Sequence, residues 1–223
     1  CKSIDLRYNC NMKRCNYSSA LNELSASEGV FTTAQAARLG IPRNVLSKAC
    51  ESGKLVRVLH GAYRMAGTPS SQFDDLAAAW KLTAASKMSY ERMPASAWDG
   101  IAVSGSTAAS ILGIGDFYAS PYRILAPKRI NSRNPDIRFG VRRINRDDVS
   151  YELGIPVTRL ERTLLDLVID EEEPSLVEGA LEDARKKGLD EDALARLIAE
   201  SCEPRKADRI AEELLGKGAS DGV

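Results

Sequence analysis

The chain has 223 residues and a mass of 24.3 kDa; 43% of the residues are hydrophobic, 28% are charged, and mean hydropathy is −0.27. Those proportions fit a soluble globular protein with room for one ordinary domain or for a small domain beside a medium one, and no apolar run reaches the ~18–20 residues of a membrane span. Basic and acidic side chains balance at 31 each, yet the charge is uneven: +6 over residues 1–72, +3 over 73–150 and −9 over 151–223. That asymmetry fits an anionic partner for the first part, and equally two solvated faces of opposite sign.

Residues 1–17 lack periodicity and hold three of the five Cys, so they read as a tail, with Met12 a candidate start. No apolar h-region follows the N-terminus, and the expectation is a cytoplasmic protein. A first helix is expected from Ser18 to Gly29, burying Leu21 and Leu24. Thr32-Thr33-Ala34-Gln35 has the spacing of a capping box, opening a second helix over Ala36, Ala37 and Leu39 that Gly40 stops. Pro42 suits the first turn of a third helix with Val45, Leu46 and Ala49 inward and Gly53 at its end. Leu55–Leu59 and Ala62–Met65 flank His60-Gly61, the pattern of a hairpin. Ala66-Gly67-Thr68-Pro69-Ser70-Ser71 then reads as a linker.

Beyond it, Phe73, Leu76, Ala77, Trp80 and Ala84 form one apolar stripe, predicting a helix over Phe73–Arg92. Strands are expected at Ile101–Val103, Tyr122–Ala126, Ile137–Val141, Val149–Glu152 and Ile155–Val157, with a small-residue helix at Ser106–Leu112. Thr158-Arg159-Leu160-Glu161 reads as a capping box for a helix bearing Leu160, Leu164, Leu167 and Val168. Three helices follow, near Ser175–Lys187, Glu191–Ser201 and Arg205–Leu215. The fold class is therefore α+β. Residues 18–68 form a winged helix-turn-helix, and residues 69–223 a larger unit with a mixed sheet and C-terminal helices.

Helix, helix, short turn, helix and hairpin is the element order of a winged helix-turn-helix. Arg43, Asn44, Ser47 and Lys48 fall on the exposed N-terminal half of its third helix, with chemistry suited to base edges and phosphates. Arg57, His60, Tyr63 and Arg64 lie on or beside the wing. Taken singly, Arg43 and Lys48 also fit ordinary surface charge, His60 a hairpin tip, and Tyr63 a ring packed on the core. Between Arg123 and Arg146 stand eight basic residues and one acid, Asp136. Alternation puts Arg138 and Arg142 on an exposed strand face, beside Lys128, Arg129, Arg133 and Arg143. That face fits either a polyanion or plain solvation. Arg162 and Asp166 stand one turn apart and are expected to pair, with Thr163 locking them.

Catalytic readings find little purchase. There is no Walker loop, and Gly113-Ile114-Gly115 lacks the third glycine of a dinucleotide fingerprint. The sole histidine, His60, sits in the wing, and no CxxC pair occurs, so a structural zinc site has almost no ligands available. Asp136, Asp147 and Asp148 lack the nearby lysine of a metal-dependent nuclease. No catalytic, metal-binding or cofactor-binding residue is assigned, and the chain is not expected to be an enzyme.

The stretch Gly29-Val30-Phe31-Thr32-Thr33-Ala34-Gln35-Ala36-Ala37-Arg38-Leu39-Gly40-Ile41-Pro42, with Leu46, Gly53–Val58 and Gly61-Ala62-Tyr63, resembles the N-terminal domain of AbiEi-family antitoxins. Ser104–Ala109 with Leu112-Gly113-Ile114, and Gly154–Asp166, resemble later motifs of that family. Gly105 departs from it, where a His or other polar side chain is expected. The resemblance implies a type IV toxin–antitoxin system. It further implies that the winged helix would repress its own promoter on double-stranded DNA, and that the second domain would counter a nucleotidyltransferase toxin without a stable complex. The other reading is a winged-helix transcription factor that senses a small ligand and has no toxin partner.

Overall fold

The computed structural model describes residues 17–216; the expected tail over residues 1–17 lies, but for Tyr17, outside them. Helix α1 (Tyr17–Glu28) ends at Gly29, whose φ of +65° gives the left-handed turn a helix exit favours. Phe31–Thr32 forms the short strand β1, and Thr32 at once caps α2 (Thr33–Arg38). Its hydroxyl accepts from the Gln35 amide at 3.0 Å, while Gln35 Oε1 accepts from the Thr32 amide at 2.8 Å. Helix α3 (Arg43–Glu51) starts one residue after Pro42. Strands β2 (Leu55–Leu59) and β3 (Ala62–Met65) form the wing, in a three-stranded antiparallel sheet of order β1-β3-β2. Leu21, Leu24, Phe31, Ile41, Leu46 and Tyr63 fill the core between helices and sheet. Leu39 and Val56, though apolar, are 45% and 40% exposed. Gly40 turns the chain so that Ile41, not Leu39, drops into the core.

The helix expected over Phe73–Arg92 is two helices, α4 (Asp74–Leu82) and α5 (Ser89–Arg92). Long-range hydrogen bonds break it. The Trp80 carbonyl accepts from the Thr83 hydroxyl at 2.6 Å and from Arg92 Nη1 at 2.9 Å. Next, the carbonyls of Ala85, Ser86 and Lys87 accept from the side chains of Thr32, Arg38 and Gln35 on α2 and its cap. Carbonyls so satisfied have no need of a continuing helix.

The larger sheet comprises β4 (Ala102–Val103), β5 (Tyr122–Ala126), β6 (Ile137–Val141), β7 (Val149–Glu152) and β8 (Ile155–Thr158), in the order β6-β5-β4-β8-β7. It is mixed: β5/β6 and β4/β8 are parallel, and the other two pairs antiparallel. Gly140 faces Leu125 across the β5/β6 pair, where an added Cβ would come within 2.6 Å of the leucine methyl. Leu76 and Trp80 of α4 share a core with Val103, Ile124 and Val157 and with Ala108 of α6 (Gly105–Leu112). Helices α7 (Leu160–Ile169), α8 (Pro174–Lys186), α9 (Glu191–Ser201) and α10 (Pro204–Leu215) bury a second cluster around Leu164, Leu167, Leu181 and Ile198. The Thr158 capping box does not form. Thr158 instead shares a 2.7 Å hydroxyl contact with Thr163, and Glu161 accepts from the Asp190 amide at 3.0 Å.

Candidate nucleic-acid interface

On α3, Leu46 and Ala49 are buried, which turns Arg43, Asn44 and Lys48 outward. None of these three side chains makes a hydrogen bond or ion pair among the described residues, so each is free for an external partner. Ser47 is half-buried, and its hydroxyl donates to the Arg43 carbonyl at 3.3 Å. The wing presents Arg57 above the Tyr63 ring, 5.8 Å from its centroid, and exposes His60 at the turn.

Two wing residues leave the expected set. Tyr63 is only 1% exposed and belongs to the core, so it supports Arg57 from beneath and offers no ring to a duplex. Arg64 is turned to the linker: it pairs with Asp74 at 3.0 Å and donates to the Thr68 carbonyl at 2.7 Å. It fastens the wing to the start of α4.

The second basic surface owes its shape to topology. Parallel strands need a crossover, and residues 127–136 supply it between β5 and β6. The loop packs Ile130 against the core that holds Leu76 and Trp80 and leaves Lys128, Arg129 and Arg133 exposed; Arg138 and Arg143 are exposed nearby. It also meets the wing: Leu59 and His60 line one cleft with Ile130, Arg133 and Asn134. The two basic surfaces, separate in sequence, thus adjoin. No periodicity signalled this.

Arg142 is not on the exposed face. The chain turns inward after Val141, and its guanidinium meets Asp166 at 2.7 Å and Asp170 at 2.9 Å. Arg123 also pairs with Asp170, at 2.7 Å. Arg162 meets Asp166 at 3.1 Å, as its spacing predicts, and Asp148 at 3.6 Å; Ser104 donates to Asp166. Thr163 locks β8 to α7 and not that pair, donating to the Thr158 carbonyl at 3.1 Å. Burial pulls the Arg142 guanidinium down, but the two aspartates outweigh it and hold it above its ordinary range. Burial pushes the Asp148 carboxyl up despite Arg162. An added Cβ at Gly105 would lie 3.3 Å from Asp170 Oδ2, so this departure from the family pattern sits on the network. The network was legible only in the Arg162–Asp166 pair, one helical turn apart. Its partners Ser104, Arg123 and Arg142 were not.

Residues 19–66, from α1 through the wing, match the family model described as a transcriptional regulator, AbiEi antitoxin. No curated protein matches the chain. Among solved structures, the chain is similar to the crystal structure of the RV2827C protein from Mycobacterium tuberculosis. Identity is 18%, the match covers 91% of this chain and 77% of that one, and the TM-score is 0.56. That likeness is one of fold.

Proposed function

We propose that this chain, whose residues 19–66 match the model of an AbiEi antitoxin transcriptional regulator, is a DNA-binding antitoxin that represses its own promoter and counters a nucleotidyltransferase toxin without a stable complex. The observation that carries the DNA half is the set of unpartnered side chains on α3, Arg43, Asn44 and Lys48, beside a wing that exposes Arg57 and His60. In this reading α3 enters the major groove. Arg43 and Asn44 at its N-terminus read base edges, and Lys48, with the Ser47 hydroxyl, meets phosphate. The wing and the adjoining crossover loop, with Lys128, Arg129, Arg133, Arg138 and Arg143, extend the contact along the backbone.

The antitoxin half rests on the resemblance of the Ser104–Ile114 and Gly154–Asp166 segments. The network those motifs build is internal, so it shapes the second unit and leaves the opposing surface to its other faces. The protein acts in the cytoplasm, where promoter and toxin would both be met, and carries no chemistry of its own. Among the described residues no helix is long and apolar enough to cross a membrane.

Gel-shift titration on the duplex upstream of the gene, paired with co-expression of the neighbouring toxin gene, tests both halves. Sequence-specific, salt-sensitive binding and rescued growth are expected. Salt-insensitive or absent binding overturns the first half, and unrescued growth the second.

A further inference from the structure

The cleft between the wing and the crossover loop is open to solvent and holds about 270 Å³. Its walls are Leu59 and His60 of the wing, Ala79, Leu82 and Thr83 of the α4 end, Ile130–Asn134 of the loop, and Ile137 and Phe139 of β6. Leu59, Leu82, Ile130 and Phe139 are all half-buried there, so apolar surface remains open on several sides at once. Most rim polar groups are already engaged. Thr83 donates to Trp80, Ser132 bonds both backbone groups of Asn134, and Asn131 accepts from Arg129. His60 and Arg133 have no hydrogen bond or ion pair among the described residues.

We infer that this cleft binds a small aromatic carboxylate, its ring on Leu82, Ile137 and Phe139 and its carboxylate on Arg133 and His60. Volume sets the size: an apolar cavity of about 150 Å³ holds benzene, whereas drug-sized ligands occupy roughly 300–1,000 Å³, so the occupant is a single ring with a short polar group. Charge sets the class, because one guanidinium on the rim matches one negative charge. The same guanidinium stands in the basic surface that adjoins the wing. Occupancy therefore removes a cation from the duplex and fixes the wing turn against the loop. This effector role rests on the DNA-binding reading above; the binding site does not.

The test uses the full chain and benzoate, followed by amide chemical shifts of Leu59, Leu82, Ile137 and Arg133. Saturable shifts with a Kd of about 0.1–1 mM are expected, as a ligand of nine heavy atoms allows. Acetate lacks the ring and benzyl alcohol the charge; both are expected to bind at least about fivefold more weakly, as is benzoate to Arg133→Gln. No saturation, equal binding of either control, or undiminished binding to R133Q overturns the site. In a parallel arm, saturating benzoate is expected to weaken duplex binding and lower its salt slope by about one. Benzoate bound at the cleft with duplex affinity unchanged overturns the effector role. A protein that binds no duplex at all refutes the DNA reading and leaves the cleft to be judged by the titration.

Discussion

The ammonium of Lys81, on α4, is bonded to the carboxylate of Glu28, at the end of α1, and both side chains are sealed from solvent. All three ammonium protons are used: Lys81 also donates to the Glu28 carbonyl and to Ser89 Oγ, each at 2.9 Å. Burial pulls the lysine below its ordinary range in spite of Glu28. The pair ties the winged helix to the helix that begins the second unit. Lys81→Met should therefore destabilise the whole protein by about 3–5 kcal/mol, because it strands a buried carboxylate. Glu28→Leu combined with Lys81→Met should recover most of that loss. Urea unfolding of the two variants decides; a single substitution costing under about 1 kcal/mol would show the pair idle.

Acid should loosen the same junction. Burial pushes the Glu28 carboxyl up, but hydrogen bonds from Lys81 and Ser89 and the lysine's charge outweigh it, leaving the carboxyl below its ordinary 4.5. The Arg38 guanidinium and the Met88 amide bring Glu91 from 4.5 down to about 2. With both groups depressed, the unfolded chain binds more protons than the folded one below 4.5. Their contribution is thus complete above about pH 5 and fades as the pH falls through 4.5 toward 2. Melting temperature followed from neutral to acid should show that decline. In Glu91→Gln the decline should be shallower, and an identical curve would remove Glu91 from the account.

On α3 and the wing the variants should part by role. Lys48→Ala and Arg57→Ala should each lower the salt slope of duplex binding by about one, with little sequence dependence. Arg43→Ala should cost about 1–3 kcal/mol at one base pair and relax preference there. Tyr63→Ala, by contrast, should lose about 3–5 kcal/mol of stability, because the ring is core. Unchanged binding in all three surface variants would remove α3 from the interface.

Replacing Arg133, Arg138 and Arg143 together by Gln should weaken duplex binding while the melting temperature holds, since exposed substitutions typically shift stability by about ±0.5 kcal/mol. Arg142→Gln should do the reverse. It leaves Asp166 and Asp170 short of a partner and should cost about 3 kcal/mol of stability. If the triple variant binds at full strength, the second basic surface is only solvated charge.

These contrasts also mark where the sequence could be read and where it could not. The Thr32–Gln35 box and the His60-Gly61 turn are made by neighbours in the chain, so spacing announces them. The break between α4 and α5 is made by Thr32, Gln35 and Arg38 from some fifty residues upstream, together with Arg92. Nothing within the Phe73–Arg92 stripe records the three upstream partners. Arg142 followed the alternation of β6, but the alternation ends with the strand at Val141. Thr158 and Glu161 had capping spacing, yet each found a better-placed partner in Thr163 and Asp190. Leu39 and Ile41 are both apolar beside Gly40; only the turn decides which is buried.

The last prediction concerns the seam at Gly67–Ser71, where DNA reading and toxin protection are proposed to divide. Helix α4 lies after that seam but serves both sides. Leu76 and Trp80 lie in the core of the large sheet, Ala78 packs with Val30, just before β1, and Ala62 of β3, and beyond α4 Met88, at the start of α5, joins the winged-helix core. A fragment from Ser70 onward keeps Leu76 and Trp80 but bares Ala78 and Lys81. One ending at Thr68 loses Met88, Lys81 and the Arg38–Glu91 pair together. The fragment 17–93 should therefore be folded and cooperative in thermal unfolding, and 17–68 markedly less so. Cutting after residue 93 should in turn unsettle the large sheet by removing Trp80. The two activities should then separate by point substitution: Arg43→Ala weakening promoter repression while growth protection persists. Circular dichroism of the fragments and a promoter reporter beside the growth assay would check this. A fragment 17–68 as stable as 17–93 would show that α4 is no part of the winged-helix unit.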